Sequence, residues 1–302
     1  MLNENVFFTF SSETQNEIYD LVKSHDITND SDKFHLFRKE VEEIRDKLEN
    51  GEKIVIIKPL IDLQNKYSIL EQRKIYWILA NLLGDPINQN EAGDKSVLVY
   101  DRDKNKTVEM GARYHQTHEG GIFHTDNVNV PFKWHYLLFA CISPSYAGGE
   151  SIIVSALKIQ DILKKQFPNI LKILEQNFLW EQRGMADTFN EAPIITYKEN
   201  GEAEFRYLRP YLEAAHIKHN LPLAEDQIHA LDTLDALLNH SDNQFRHTFS
   251  KGEILLTYDS QILHDRSAFS DDLNAVTFPD WNSDNLKPMK RTMDRIWIKK
   301  RY

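Results

Sequence analysis

The sequence predicts an α+β protein built on a β-sandwich or jelly roll. Helical periodicity dominates the first third, and from about residue 95 short β-type runs take over, interrupted by two helical stretches. No internal repeat and no linker rich in Gly, Ser or Pro divides the chain. One domain over 1–302 is therefore expected, with a helical N-terminal part over 1–84 and a β-rich core with helical insertions over 95–302.

Residues 10–24 read as a helix, with Ser12 and Gln15 as a capping box and Ile18, Leu21 and Val22 on one apolar face. Phe34, Phe37, Val41, Ile44 and Leu48 recur at three- and four-residue steps before Gly51, which predicts a second helix. Ile54-Val55-Ile56-Ile57 reads as a buried strand stopped by Pro59. A third helix over 69–83 runs through Ile75, Ile78, Leu79 and Leu82 to Gly84. The β-type runs are Val97–Tyr100, Tyr136–Ile142, Ser151–Val154, Ile194–Tyr197, Ile254–Tyr258 and Arg295–Lys299. Helices are expected near 156–176 and 222–239, the second with Ile228, Leu231, Leu234 and Leu238 on its face. Trp77, Trp134, Trp180 and Trp297 read as core packing.

Composition narrows the function classes. Hydrophobic residues at 41% and charged ones at 27% are those of a folded globular chain. A net charge of −10 argues against a general nucleic-acid binder, which needs clustered Lys and Arg. The single cysteine, Cys141, excludes an internal disulfide framework and a cysteine-built zinc site. No apolar run approaches the ~20 residues that span a bilayer, and the N-terminus lacks the pattern of a signal peptide. The expectation is a soluble cytoplasmic protein with no membrane partner.

The histidines carry the chemistry. On a strand, positions i and i+2 point the same way, so His-x-Asp/Glu can present two ligands to one metal ion while a distant His supplies the third. With 12 histidines and 46 acidic residues in 302 positions, chance alone supplies roughly two such triplets, and the chain has two, so context must choose. His240-Ser241-Asp242 lies in a polar cluster after an amphipathic helix and reads as solvated. His124-Thr125-Asp126 follows Gly120-Gly121-Ile122-Phe123, where glycines permit close backbone approach and Phe123 can wall a pocket.

With His124-Thr125-Asp126, three further blocks follow in order: Gly148-Gly149-Glu150-Ser151, Ile262 to Phe269 around His264, and Arg291 to Ile298. Supporting segments are Leu83-Gly84-Asp85-Pro86 with Gln89-Asn90, Phe205-Arg206-Tyr207 with Tyr211, and Lys251 to Leu255. Over roughly residues 83–300 the chain resembles the iron(II)/2-oxoglutarate-dependent dioxygenases of the taurine dioxygenase (TauD/TfdA) and clavaminate synthase-like family. The resemblance implies a double-stranded β-helix core, Fe(II) as metal, 2-oxoglutarate and O₂ as co-substrates, and a small-molecule substrate. It implies His124, Asp126 and His264 as metal ligands. Their types make chemical sense, since neutral imidazole and carboxylate suit Fe(II) and three ligands on one side leave open positions.

By the same resemblance, Arg291 pairs with the far carboxylate of 2-oxoglutarate, Arg295 lies nearby toward co-substrate or substrate, and Ser151 hydrogen-bonds the co-substrate carboxylate. Guanidinium offers a planar fork that matches carboxylate and keeps its charge. Two departures stand out: the His264–Arg291 stretch is longer than usual, which keeps Arg266 as an alternative, and Asp259-Ser260 stands where the family often has Asn-Asn. The lengthened stretch near 270–288 is a candidate lid. Gln116, Glu119, Asn127, Arg183 and Arg295 are candidate substrate contacts, while His115, His118 and His135 read as structural.

The expected reaction is hydroxylation of a small polar metabolite, such as an amino acid or a natural-product intermediate, with release of succinate and CO₂. The same machinery can desaturate or cyclise. Asp126 argues against halogenation, for which the resemblance requires a missing carboxylate. Two other classes remain open: a non-catalytic jelly-roll sensor of metal or 2-oxoglutarate, and a zinc hydrolase using the same three ligands.

Overall fold

The computed structural model describes residues 4–24, 34–90, 92–102, 117–126, 128, 134–182, 188–277 and 288–301. β1 (Phe7–Phe8) leads into α1 (Ser12–Lys23) and α2 (His35–Glu49), then β2 (Ile54–Ile57), the single turn α3 (Leu63–Lys66) and α4 (Ile69–Leu83). The apolar spacing does what periodicity requires: α1 buries Ile18, Leu21 and Val22, α2 buries Phe37, Val41, Ile44 and Leu48, and α4 buries Ile75, Leu79 and Leu83. The start of α1 differs from the sequence expectation. Ser11 is the cap, accepting the Thr14 N–H at 3.2 Å, because Glu40 of α2 takes the Ser11 N–H at 3.1 Å and fixes the chain one residue earlier. A capping box does form at α4, between Ser68 and Glu71.

β3 (Asp85–Pro86), β4 (Ser96–Val99), β5 (Tyr136–Ser143), β6 (Ala147–Gly148) and β7 (Ser151–Ser155) precede α5 (Ala156–Gln166) and α6 (Pro168–Leu174). The one helix expected near 156–176 is thus two, broken where Pro168 has no N–H to continue the ladder and opens α6 instead. β8 (Asn177–Glu181), β9 (Phe189–Pro193), β10 (Ile195–Tyr197) and β11 (Ala203–Phe205) form two hairpin pairs. α7 (Arg209–Lys218) was not anticipated, and α8 (Glu225–Asn239) buries Ala230, Leu231, Leu234 and Leu238 while Ile228 turns outward, 41% exposed. β12 (Gln244–His247), β13 (Ile254–Tyr258), β14 (Ile262–Arg266), β15 (Phe269–Ser270) and β16 (Thr292–Lys299) complete the core.

Seven strands form one sheet in the order β1-β2-β13-β5-β16-β3, with β4 also on β16. A second sheet runs β12-β7-β14, and β15 pairs with β6. Alternation sorts the side chains. Leu138, Ala140 and Ile142 of β5, with Ile254 and Leu256 of β13, face α1, α2 and α4. Their neighbours Cys141 and Leu255 face inward and meet Ile153 of β7 and Ile262 of β14. Ile152, Val154 and Leu263 of the second sheet pack outward on α5, α6 and α8. The layers are therefore helices, large sheet, small sheet, helices. Trp134, Trp180 and Trp297 are buried, as expected, but Trp77 is 38% exposed on α4. Among the described residues, no helix is long and apolar enough to cross a membrane.

Candidate metal centre

The space between the two sheets opens into a cavity. Val99, Leu137, Phe139 and Leu255 wall it from the large sheet, and Ser151, Ile153 and His264 from the small one. His124 and His264 reach it from paired backbones: His124 N–H donates to His264 O at 3.0 Å, and His264 N–H returns the bond to His124 O at 2.9 Å. This isolated bridge lays residue 124 beside β14 and brings the two rings to 4.3 Å between centroids. His124, Asp126 and His264 each offer one donor atom, and those atoms lie within 4.8 Å of one another.

The tautomers follow from the hydrogen bonds. Nδ1 of His124 faces Ile122 O at 2.8 Å, and a carbonyl can only accept, so Nδ1 carries the proton. Nε2 then turns its lone pair toward Asp126 Oδ1, 3.9 Å away. Nδ1 of His264 is buried with no hydrogen-bond partner among the described residues. Burial, with His124 beside it, pushes the His264 imidazole down to about 3, so it is neutral at ordinary pH.

Asp126 is held on both oxygens. Arg295 donates to Oδ1 at 3.2 Å and Trp297 Nε1 to Oδ2 at 3.1 Å. Burial alone would raise this carboxyl, but Arg295, the two imidazoles and the indole N–H win and hold it below the usual range. Its backbone N–H donates to Asp259 Oδ1 at 3.2 Å. Asp259 is fully buried, and burial together with the Asp126 charge raises its own carboxyl well above the usual value. The middle residue of the triplet is also pinned: Thr125 N–H donates to Tyr207 O at 2.9 Å, and Thr125 Oγ1 accepts Tyr207 N–H at 3.2 Å. Arg206 donates to Val128 O at 2.9 Å just beyond.

The three arginines named from sequence part company. Arg295 is occupied by Asp126 and by Gln89 Oε1, the latter at 2.8 Å. Arg266 donates through Nη2 to the carbonyls of Thr117 and Glu119 and lies over the Phe269 ring at 4.7 Å. Arg291 lines the cavity at 4% exposure, 5.2 Å from the same ring. Its guanidinium has no ion pair and no hydrogen bond among the described residues. Gly149, at φ +73°, passes beside it: a Cβ there would lie 3.2 Å from Arg291 Nε. Ser151, 7% exposed, lines the same cavity from β7, opposite Arg266 across the β7–β14 ladder.

Two imidazole nitrogens and a carboxylate, clustered in a buried cavity, suit a first-row divalent metal such as Fe(II). The other candidates fall elsewhere. His240 is largely exposed, its Nδ1 accepting the Asp242 N–H at 3.3 Å, far in role from the cavity. Glu119 lends its carbonyl to Arg266. His118 pairs with Asp101 at 3.4 Å, and His135 Nδ1 accepts the Lys300 N–H at 3.2 Å. Gln116, Asn127 and Arg183, with His115, lie outside the described residues, as do 278–287 of the candidate lid. Trp297, Gln89, Thr125 and Asp259 were not singled out from sequence as site residues. Their signals in the sequence were the placement of Gln89, Thr125 and Trp297 within the family-like segments and of Asp259 where the family often has Asn.

The model of the taurine catabolism dioxygenase TauD, TfdA family matches residues 21–277. FR-33289 synthase of Streptomyces rubellomurinus is 24% identical over 237 residues, a match covering 76% of this chain and 65% of that protein's length. Among solved structures, asparagine oxygenase in complex with Fe(II), 2S,3S-3-hydroxyasparagine and succinate superposes with a TM-score of 0.70 at 14% identity, covering 97% of this chain and 93% of that one. The non-heme iron oxygenase OrfP, in complex with Fe and alpha-ketoglutaric acid, gives 0.65 at 11% identity with the same coverage.

Proposed function

Since the chain belongs to the TauD, TfdA family, we propose that it is an iron(II)- and 2-oxoglutarate-dependent oxygenase. Its reaction is hydroxylation of a small polar metabolite, such as an amino acid or a natural-product intermediate, with release of succinate and CO₂. The observation that carries this reading is Arg291: a buried guanidinium with no ion pair or hydrogen bond among the described residues, in the cavity that also holds the His124, Asp126 and His264 donors. A buried cation is costly unless an anion meets it, and a dicarboxylate reaching from the metal supplies one. The relatives support the substrate class: OrfP is recorded with (3S)-hydroxy-L-Arg, and asparagine oxygenase with a hydroxyasparagine.

In this reading the facing sheets are a double-stranded β-helix, and residues 1–302 make one domain. His124, Asp126 and His264 hold the metal; when bound, iron and 2-oxoglutarate supply oxidation of a C–H bond by O₂ as the co-substrate goes to succinate and CO₂. The chain's own residues position and shield. The Ile122 carbonyl fixes the His124 tautomer, so that Nε2 is free to ligate. Arg295 and Trp297 hold the Asp126 carboxylate so that it keeps one orientation. Arg291 receives the far carboxylate of 2-oxoglutarate by a charge-assisted fork, and Ser151 adds a hydroxyl donor. Val99, Leu137, Phe139, Ile153 and Leu255 keep water from the walls.

The test is succinate formation with ferrous iron, O₂ and 2-oxoglutarate across a panel of amino acids and other small polar metabolites. Succinate that rises with one organic substrate, with an oxidised product of that substrate, supports the reading. Activity with zinc and none with ferrous iron would favour a hydrolase, and tight 2-oxoglutarate binding without turnover on any substrate would favour a sensor.

A further inference from the structure

Two ligand-bearing segments meet in this site from distant parts of the chain, and one side chain outside the ligand set joins them. Asp259 sits in the short turn between β13 and β14, five residues before His264. Its carboxyl is fully buried, and Oδ1 accepts the backbone N–H of Asp126 at 3.2 Å, while Oδ2 has no partner among the described residues. Its own N–H donates to His135 O at 2.9 Å, which fixes the turn against the start of β5. Nothing else bonds the Asp126 N–H among the described residues, whereas His124 exchanges backbone hydrogen bonds with His264 and Thr125 N–H donates to Tyr207 O.

We propose that Asp259 is a positioning residue for the metal centre: it fixes the backbone of the carboxylate ligand and locks the spacing between the His124–Asp126 segment and the turn that launches His264. The inference rests on the metal-binding reading above. Its physical basis is that a ligand's orientation depends on groups behind it, and removal of such a group from a metal site typically costs about 10–100-fold in affinity. An uncompensated buried N–H adds to the cost. The acceptor is what matters, so the amide carbonyl of Asn replaces it and the methyl of Ala does not.

The experiment is anaerobic titration of the full chain with Co(II), whose visible absorption reports the ligand geometry, with Fe(II) titration as a check. Asp259→Ala is expected to weaken Co(II) binding at least tenfold and to shift the absorption of the bound ion. Asp259→Asn keeps the acceptor, so it is expected to stay within about threefold of the wild type, below the ~10–100-fold loss that follows removal of a supporting group, with an unshifted band. A purely structural residue would lower the melting temperature without moving the band. If the wild type binds Co(II) and Asp259→Ala binds it equally with the same band, the inference fails while the metal reading stands; if the wild type binds neither Co(II) nor Fe(II), the reading itself fails. Should the alanine variant not fold, hydrogen exchange at the Asp126 amide of the wild type decides: protection supports the bond to Asp259, and exchange as fast as an open loop overturns it.

Discussion

Arg295 donates to Asp126 across 3.2 Å, while the guanidinium of Arg291, four residues earlier, is buried with no ion pair or hydrogen bond among the described residues. The resemblance assigns Arg291 to the co-substrate and Arg295 toward co-substrate or substrate, whereas the structure occupies Arg295 with Asp126 and Gln89. One arginine serves the candidate metal ligand, and the other lines the cavity beside it.

Arg291→Ala is therefore expected to raise the KM for 2-oxoglutarate by roughly 10–100-fold, the value of one or two charge-assisted hydrogen bonds, with anaerobic metal affinity changed far less. Steady-state succinate kinetics and a metal titration measure the two quantities. If Arg266→Ala produces that loss and Arg291→Ala does not, the co-substrate site is misassigned.

Arg295→Ala and Trp297→Phe should show the reverse pattern. Each removes a donor from Asp126, so metal affinity should fall by about 10–100-fold for the arginine and less for the indole, with a smaller effect on the 2-oxoglutarate KM. Equal losses in both quantities would contradict the division of labour.

Much of this was legible in the chain, for reasons that differ by residue. β5 and β13 are continuous apolar runs buried on both faces, so the pattern marks them plainly. The choice of His124 over His240 came from context, since both triplets have the same spacing. Arg291 was readable by resemblance, but the occupation of Arg295 was not, because its contacts with Asp126 and Gln89, far away along the chain, have no local signature. Trp297 reads as core because an indole usually is, and its N–H to Asp126 depends on the tertiary pairing of Ile298 with Tyr136. The outward turn of Ile228 and the break at Pro168, which has no N–H to continue the helix ladder, depart from the periodicity read in the sequence.

Thr125→Val tests the support behind the triplet. The change keeps the shape and removes the acceptor for the Tyr207 N–H, leaving a buried donor unsatisfied at a cost of about 1–3 kcal/mol. Chemical denaturation should show the loss. Unchanged stability would mean that the Thr125 hydroxyl is dispensable.

Glu253 sets an acid limit on stability away from the cavity. It accepts from His247 Nε2 and Lys58 Nζ, each at 2.8 Å, and from Ser250 N–H at 2.9 Å. Burial would raise its carboxyl, but these donors win and hold it at about 2, below the ordinary 4.5. A depressed carboxylate contributes stability above its unfolded value and loses it as pH falls, so the melting temperature should drop between about pH 4.5 and 2. Glu253→Gln should lower the melting temperature at neutral pH and flatten that acid limb; an unaltered limb would place the acid sensitivity elsewhere.

The account stands on three side chains sharing one metal ion. Anaerobic Fe(II) titration of the wild type, the His124→Ala, Asp126→Ala and His264→Ala variants, and His240→Ala as control tests it most directly. One equivalent bound by the wild type and the control, with binding lost in each of the other three, is the predicted result. Full binding by His264→Ala, or its loss in His240→Ala, would contradict it.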